Sequence, residues 1–202
     1  MTAAINYKTI KFIFVSTAHV YGSRYSSSIN EDAPSHPITN YVGTKLYTEH
    51  LCNIISKVGD FIFISLRLFN VYGPSLSRSP RPTVENIFID RVKKNLRPII
   101  KSHPLHARDF IHIANVIEAI KYSIHKDISS NTINIGTGVK TSLKELADII
   151  IKIANKELVA VIEQSDELPI ELRADTSKAN QLLGFDASIP LYKGLLEQYH
   201  KE

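Results

Sequence analysis

The sequence predicts an α/β domain built on a parallel sheet, and three observations predict it. KFIFVST (11–17) and FIFISLRLF (61–69) are near-continuous apolar runs, the pattern of strands covered on both faces. Between them Tyr41, Lys45, Tyr47, Leu51, Ile54 and Ile55 recur at helical spacing. Both strands also lead into a Tyr-Gly turn, at 21–22 and 72–73. In open parallel sheets ligands gather at the carboxyl ends of strands, so chemistry is to be sought at these turns.

Taken in order, residues 3–9 read as the end of a helix that leads into a strand over 11–17, so the chain begins in mid-sheet. Residues 22–40 are rich in Gly, Ser, Asn and Pro and read as a loop. The helical spacing carries 41–57, which ends before Gly59. FIFISLRLFNVYG is the second buried strand, and SLSRSPRPT (75–83) a flexible polar loop. A helix follows over about 84–95, with Val84, Ile87, Phe88, Arg91 and Val92 on one side. Residues 97–113 give short strands around Pro98 and Pro104, and 114–126 another helix. TINIGTG (132–138) is a third strand ending in two glycines. Thr141 or Ser142 then caps a helix through 156, with Glu145 placed for a capping box. VAVIEQ (159–164) reads as a strand, and the tail from Thr176 as two short helices broken by Gly184 and Pro190.

Composition narrows the function. The 202 residues, 44% hydrophobic and 22% charged, suit one domain or a domain with a small lobe. The net charge of +4 comes from interspersed charges without a long like-signed run, a modest basic balance that suits a phosphorylated small ligand as well as it suits nucleic acid; no nucleic-acid partner is expected. A single cysteine, Cys52, excludes an internal disulfide and suits a reducing compartment. No stretch reaches the roughly 18 apolar residues of a membrane span. FIFV is too short for a secretory core, and the expectation is a cytoplasmic protein without a membrane partner. His103, His106 and His112 show no metal-ligand spacing, so no metal is expected. NIGTG lacks the Lys-Ser/Thr ending of a phosphate loop and suits a strand-to-helix turn. Lys93, Lys94 and Arg97 read as a solvated face.

Tyr41 and Lys45 stand four apart and share a helix face. The same spacing occurs at Tyr7/Lys11 and Tyr122/Lys126, so context must choose among the three. Only Tyr41 follows a buried strand ending in a hydroxyl residue, Thr17, across a loop long enough to return the helix beside that strand. A phenol ionises near pH 10 in the reference state, and a neighbouring ammonium favours the phenolate, which suits acid/base work at neutral pH. Thr17 could then hydrogen-bond the same substrate oxygen. The alternative is an ordinary amphipathic helix with a snorkelling lysine.

FIFVSTAHVYG, NYVGTK, LRLFNVYGP, ARDFIHIANV, NIGTG and ADTSKANQLLGF, in this order and spacing, resemble the extended short-chain dehydrogenase/reductases of the NAD-dependent epimerase/dehydratase family, which modify nucleotide sugars. The resemblance covers nearly the whole chain. It implies the C-terminal part of a Rossmann-like doubly wound parallel sheet, with a small α/β substrate-binding lobe. Residues 1–75 would be a partial Rossmann-like domain holding the catalytic residues, and 76–202 mostly the substrate lobe, with returns to the sheet over about 108–138. It implies Tyr41 as acid/base, Lys45 also binding the nicotinamide ribose, and Thr17 orienting the sugar hydroxyl. It places Phe69 on the cofactor side, and Asn70 and Arg108 at the diphosphate. The cofactor would be NAD or NADP, the substrate a nucleotide sugar, and the activity epimerisation or simple oxidoreduction. A homodimer through the 41–57 helix is one implied assembly.

Three departures qualify the resemblance. The family's opening Gly-x-x-Gly-x-x-Gly turn, which seats the pyrophosphate at a helix N-terminus, has no counterpart among the eight glycines. This leaves a truncated enzyme, a non-catalytic remnant, or half of a split enzyme completed by another chain. In the family's sheet order the missing strands lie beside KFIFVS, which in this chain by itself would be an unpaired apolar edge. Where the family's dehydratases carry Asp-Glu after the threonine, this chain has Ala18 and His19, which disfavours dehydration and leaves His19 as a polar lining residue. The Arg-Pro-Gly-Asp segment common in members that bind uridine diphosphate sugars is replaced by SDELPIELR, with Arg173 out of place.

Overall fold

The computed structural model describes residues 10–22, 27–74, 82–163 and 168–201. The helix end expected over 3–9 and the loop at 75–81 lie outside the described residues. Strand β1 (Lys11–Thr17) runs into a single 3-10 turn, Ala18–Tyr21, and is followed by β2 (Ser28–Ile29) and helix α1 (Asn40–Val58). Next come β3 (Ile62–Leu68), β4 (Asn70–Tyr72), α2 (Val84–Lys93), β5 (Ile99–Ile100), β6 (Ala107–Arg108) and β7 (Phe110–His112). Helix α3 (Ile113–His125), β8 (Asn131–Ile135), β9 (Thr141–Ser142) and α4 (Leu143–Ile153) follow. The chain finishes with β10 (Val161–Ile162), β11 (Glu171–Ala174), α5 (Ser177–Leu183) and α6 (Leu191–Lys201).

The main sheet has the order β1-β3-β8 and is parallel throughout. Thr17, Leu68 and Ile135 close it as one row at the carboxyl ends. Alternation along the strands sends Phe12, Phe14 and Phe63 to one face, where they meet Cys52 and Ile55 of α1. Ile13, Ile64, Leu66, Ile133 and Ile135 go to the other face, against Val116 and Ala119 of α3 and Ala179 and Leu183 of α5. Burying Ile64, Leu66 and Ile133 completely stabilises the sheet by about 2 kcal/mol each. A second core lies where α2, α4 and α6 pack around Phe88, Val92, Leu146, Ile150 and Leu195.

β1 departs from the expectation of a strand covered on both faces. It is the terminal strand among the described residues, Phe12 to Phe14 are only half-buried, and Val15 is exposed. This is the open apolar edge foreseen for KFIFVS.

Local chemistry explains the helix boundaries. Thr39 caps α1 by accepting from the Val42 amide at 3.3 Å, and the Gly59 amide closes the helix on Ile55 O at 2.9 Å. Of the two caps expected for α4 the chain uses Ser142. Its hydroxyl accepts from Glu145 N at 3.1 Å while Glu145 accepts from Ser142 N at 2.7 Å, a complete capping box. A second sheet, β2-β11-β6-β9, was not foreseen, because three of its four strands are two residues long and β11 only four, too short to show periodicity. It turns part of the expected 22–40 loop and of SDELPIELR into ladder. No described helix is long and apolar enough to cross a membrane.

Candidate active site

Lys45 is the best-fixed of the expected site residues. Its ammonium donates to Val15 O at 2.8 Å and lies 4.8 Å from the Phe14 ring centroid and 5.9 Å from that of Tyr41. Two residues further along β1, Thr17 is buried, and its hydroxyl oxygen accepts from the His19 amide at 3.2 Å. That bond starts the 3-10 turn and holds the threonine side chain at the strand's end. Tyr41, one turn before Lys45, is 59% exposed. The fold thus sets an ammonium and a solvent-facing phenol on one face of α1, with the ammonium tied to the strand that ends in a buried hydroxyl.

The remaining expected residues divide into two groups. Phe69 is buried among Ala18, Tyr21, Val42 and Leu172, beneath the first turns of α1. Asn70, Arg108 and His19 are the polar ones, and the charge of Arg108 acts on His19. The Asn70 amide N–H donates to Asp109 O at 2.9 Å, while its side-chain oxygen is buried without a hydrogen-bond partner. Arg108 is half-buried on β6, and among the described residues no carboxylate stands within ion-pair distance of it. Burial pulls its pKa down, although a guanidinium stays protonated at neutral pH. Burial, and next the Arg108 charge, push the His19 pKa below its ordinary value, so His19 faces the site as neutral imidazole. Among the described residues, Arg108 thus has no carboxylate partner and the Asn70 side-chain oxygen no hydrogen-bond donor.

Two features escaped the sequence reading. Asp109, completely buried beside Arg108, accepts from Thr137 N and Gly138 N at 2.8 Å each, Thr137 Oγ1 at 2.6 Å and Ala174 N at 3.2 Å. Burial raises its carboxyl pKa against the opposing pull of these bonds. The amides of NIGTG thus bind the chain's own carboxylate, which is why the stretch is no phosphate loop. Gly136 is required there, since a Cβ would stand 2.6 Å from Ala174 Cβ and 2.7 Å from Asp109 Oδ2. The second feature is a buried ion pair between Glu49 and Arg67, at 2.7 Å. The only sequence signals for it were Glu49 continuing the Tyr41/Lys45 stripe and a lone arginine inside an apolar run.

Arg173 lies with its Nε 3.1 Å from Glu171 Oε1, an ion pair without hydrogen-bond alignment. His103 and His106 stack at 6.1 Å, and His106 Nδ1 accepts from Ile170 N at 3.2 Å. Among the described residues no group of three or more His, Cys, Asp or Glu could hold a metal ion. A cavity of about 850 Å³ opens at the amino ends of the strands, lined by Ile10, Lys57, Asp60, Asp127 and Ser130 among others. It lies at the opposite end of the sheet from Thr17 and borders residues outside the described structure.

Comparison with known proteins identifies the family. The model of the NAD dependent epimerase/dehydratase family matches residues 1–136. A Bacillus subtilis protein described as an uncharacterized UDP-glucose epimerase is 30% identical over 194 residues, covering 93% of this chain and 58% of that protein. A putative UDP-glucose 4-epimerase of Methanocaldococcus jannaschii is 29% identical over 191 residues, covering 94% of this chain and 62% of that protein. Among solved structures, the UDP-glucuronic acid 4-epimerase of Bacillus cereus, in complex with UDP-glucuronic acid and NAD, superposes with a TM-score of 0.88 at 30% identity, over 99% of this chain and 63% of that one. The chain therefore spans about three fifths of the length of the relatives it matches.

Proposed function

Because the chain belongs to the NAD dependent epimerase/dehydratase family, we propose that it is the catalytic part of an NAD(P)-dependent nucleotide-sugar epimerase or oxidoreductase. The observation that carries this reading is the fixed ammonium of Lys45, held on Val15 O with Tyr41 on its face and Thr17 at the end of the same strand. Tyr41 takes the proton of a sugar hydroxyl and later returns one to the same oxygen. Lys45 places positive charge beside that phenol, and Thr17 hydrogen-bonds the sugar oxygen. A bound NAD or NADP would supply the acceptor for the hydride that leaves the sugar carbon. The residues present suit a dianionic ligand: the guanidinium of Arg108, without an ion pair among the described residues, and the Asn70 side-chain amide, whose oxygen has no partner there, match a diphosphate, with His19 as a lining group. Phe69 forms the packed wall under α1 on the cofactor side. Ala18 and His19 offer no carboxylic acid after Thr17, which favours epimerisation or oxidoreduction over water elimination.

A second reading rests on the open edge of β1. In it the chain is a remnant or half of a split enzyme that binds a nucleotide sugar or a complementing chain without holding the dinucleotide alone. Tyr47, Leu51, Ile54 and Val58 form an exposed apolar stripe on α1, which supports a homodimer through that helix in either reading. Calorimetric titration of the purified chain with NAD separates the two: saturable binding supports the enzyme, and its absence supports the second reading. Tyr41→Phe should abolish turnover of UDP-glucose while sparing NAD affinity. Turnover equal to the wild type would remove Tyr41 from the mechanism.

A further inference from the structure

We propose that Glu49 and Arg67 are a positioning pair for Tyr41 and Lys45, setting the rotation of α1 on the sheet and with it the place of phenol and ammonium beside Thr17. The inference rests on the roles proposed above for those two residues. Tyr41, Lys45 and Glu49 follow one another at four-residue spacing and form one stripe of α1. Two members of the stripe bond to the sheet, Lys45 to β1 and Glu49 to β3. The Glu49 carboxylate accepts from Arg67 Nη2 at 2.7 Å, from Arg67 Nε at 3.2 Å on each oxygen, and from Ser65 Oγ at 3.1 Å.

Arg67 spends its remaining donors on the segments around the site. Its Nη1 donates to Tyr21 Oη at 2.9 Å and to Glu31 O at 3.4 Å, and its guanidinium lies 4.9 Å from the Tyr21 ring centroid. Tyr21 in turn donates to Asn134 Oδ1 at 2.7 Å, and Asn134 donates to Ile29 O at 2.8 Å and to Glu31 Oε1 at 2.7 Å. One guanidinium thus ties α1 to β3, to the turn after β1, to β2 and to β8. In the ladder it stands opposite Ser16, one residue before Thr17.

Apart from this stripe, α1 meets the sheet chiefly through Cys52 and Ile55 against Phe12, Phe14 and Phe63. Such apolar contact is non-directional and holds the helix down without fixing its azimuth. A fork of charged hydrogen bonds is directional, so it supplies the alignment that the apolar contact lacks. A buried, fully bonded ion pair adds little stability over an apolar pair of the same volume, which leaves geometry as its contribution.

The test uses the whole chain and compares Glu49→Leu/Arg67→Met, Glu49→Gln and Arg67→Lys. The double variant should keep a denaturant midpoint near wild type. Its kcat on UDP-glucose should fall on the order of 10²-fold with KM unchanged, the size of effect expected of a small misplacement. Arg67→Lys, which keeps the charge without the fork, should fall between. Wild-type kcat in a folded double variant would overturn the proposal. If the double variant fails to fold, Glu49→Gln decides: a kcat loss larger than the loss of folded protein supports positioning, and a strictly proportional loss overturns it. If the wild-type chain turns over no UDP-glucose, the functional reading fails on its own. The NMR shift of a ring-labelled Tyr41 then decides the present one, displacement in Glu49→Gln supporting it and an unmoved signal refuting it.

Discussion

Tyr21 and Tyr41 show how little a residue's identity says before its surroundings are known. Tyr21 is buried, and that burial, only partly offset by Arg67, pushes its phenol up to about 12. It can serve only as a neutral relay between Arg67 and Asn134, whereas Tyr41 faces solvent. Tyr21→Phe should therefore destabilise the chain by about 1–3 kcal/mol, because it orphans a guanidinium N–H and an amide oxygen in the interior. Equilibrium urea unfolding measures it. His19 offers a prediction in pH. Its folded pKa lies below the ordinary 6.5, so on acidification the unfolded chain takes up the proton first. Stability should fall as pH drops below about 6.5 and level off beneath the folded pKa, and His19→Gln should flatten that limb in a series of thermal melts. The sequence offered Tyr41, Lys45 and Thr17 through spacing and order. It did not offer the relay, since Tyr21, Glu49, Arg67 and Asn134 are separated by 18 or more residues at each step, and no local pattern records such a meeting.

Elements were legible in proportion to their length. Helix α1 declared itself by periodicity and a closing glycine, and α4 by its capping box. β2, β5, β6, β9 and β10 are two residues long: strands were legible around Pro98 and Pro104 and over 159–164, but β2 and β9 were not, and the partners of all five are set by the segments that flank them. The α4 cap gives an element-scale test. Hydrogen bonds from the Ser142 amide and hydroxyl hold the Glu145 carboxyl below its ordinary 4.5. The cap's electrostatic contribution is therefore fully present above pH 4.5 and is lost as pH falls through the lower folded value. Ser142→Ala should cost about 1 kcal/mol at neutral pH, and less in the acid limb, by calorimetric unfolding.

At the scale of the whole molecule, the chain carries two apolar surfaces that water penalises, the edge of β1 and the stripe Tyr47, Leu51, Ile54 and Val58. The purified chain should sediment as associated species, and Ile54→Lys with Tyr47→Lys should shift it towards monomer. A monodisperse wild-type monomer that unfolds cooperatively would contradict this. The open edge was legible from the apolar run and its place in the resemblance. The join between sheet and lobe was not, because it depends on Asp109, which in sequence is merely the acid beside an arginine. That carboxylate grips Thr137 and Gly138 behind β8 and Ala174 on β11, while its backbone bonds Leu172 and Asn70. Sliding the lobe across the sheet would tear all of these bonds at once in a dry interior. One buried aspartate therefore rivets the carboxyl end of the main sheet to β11 and β4, and the two sheets keep a common register through it.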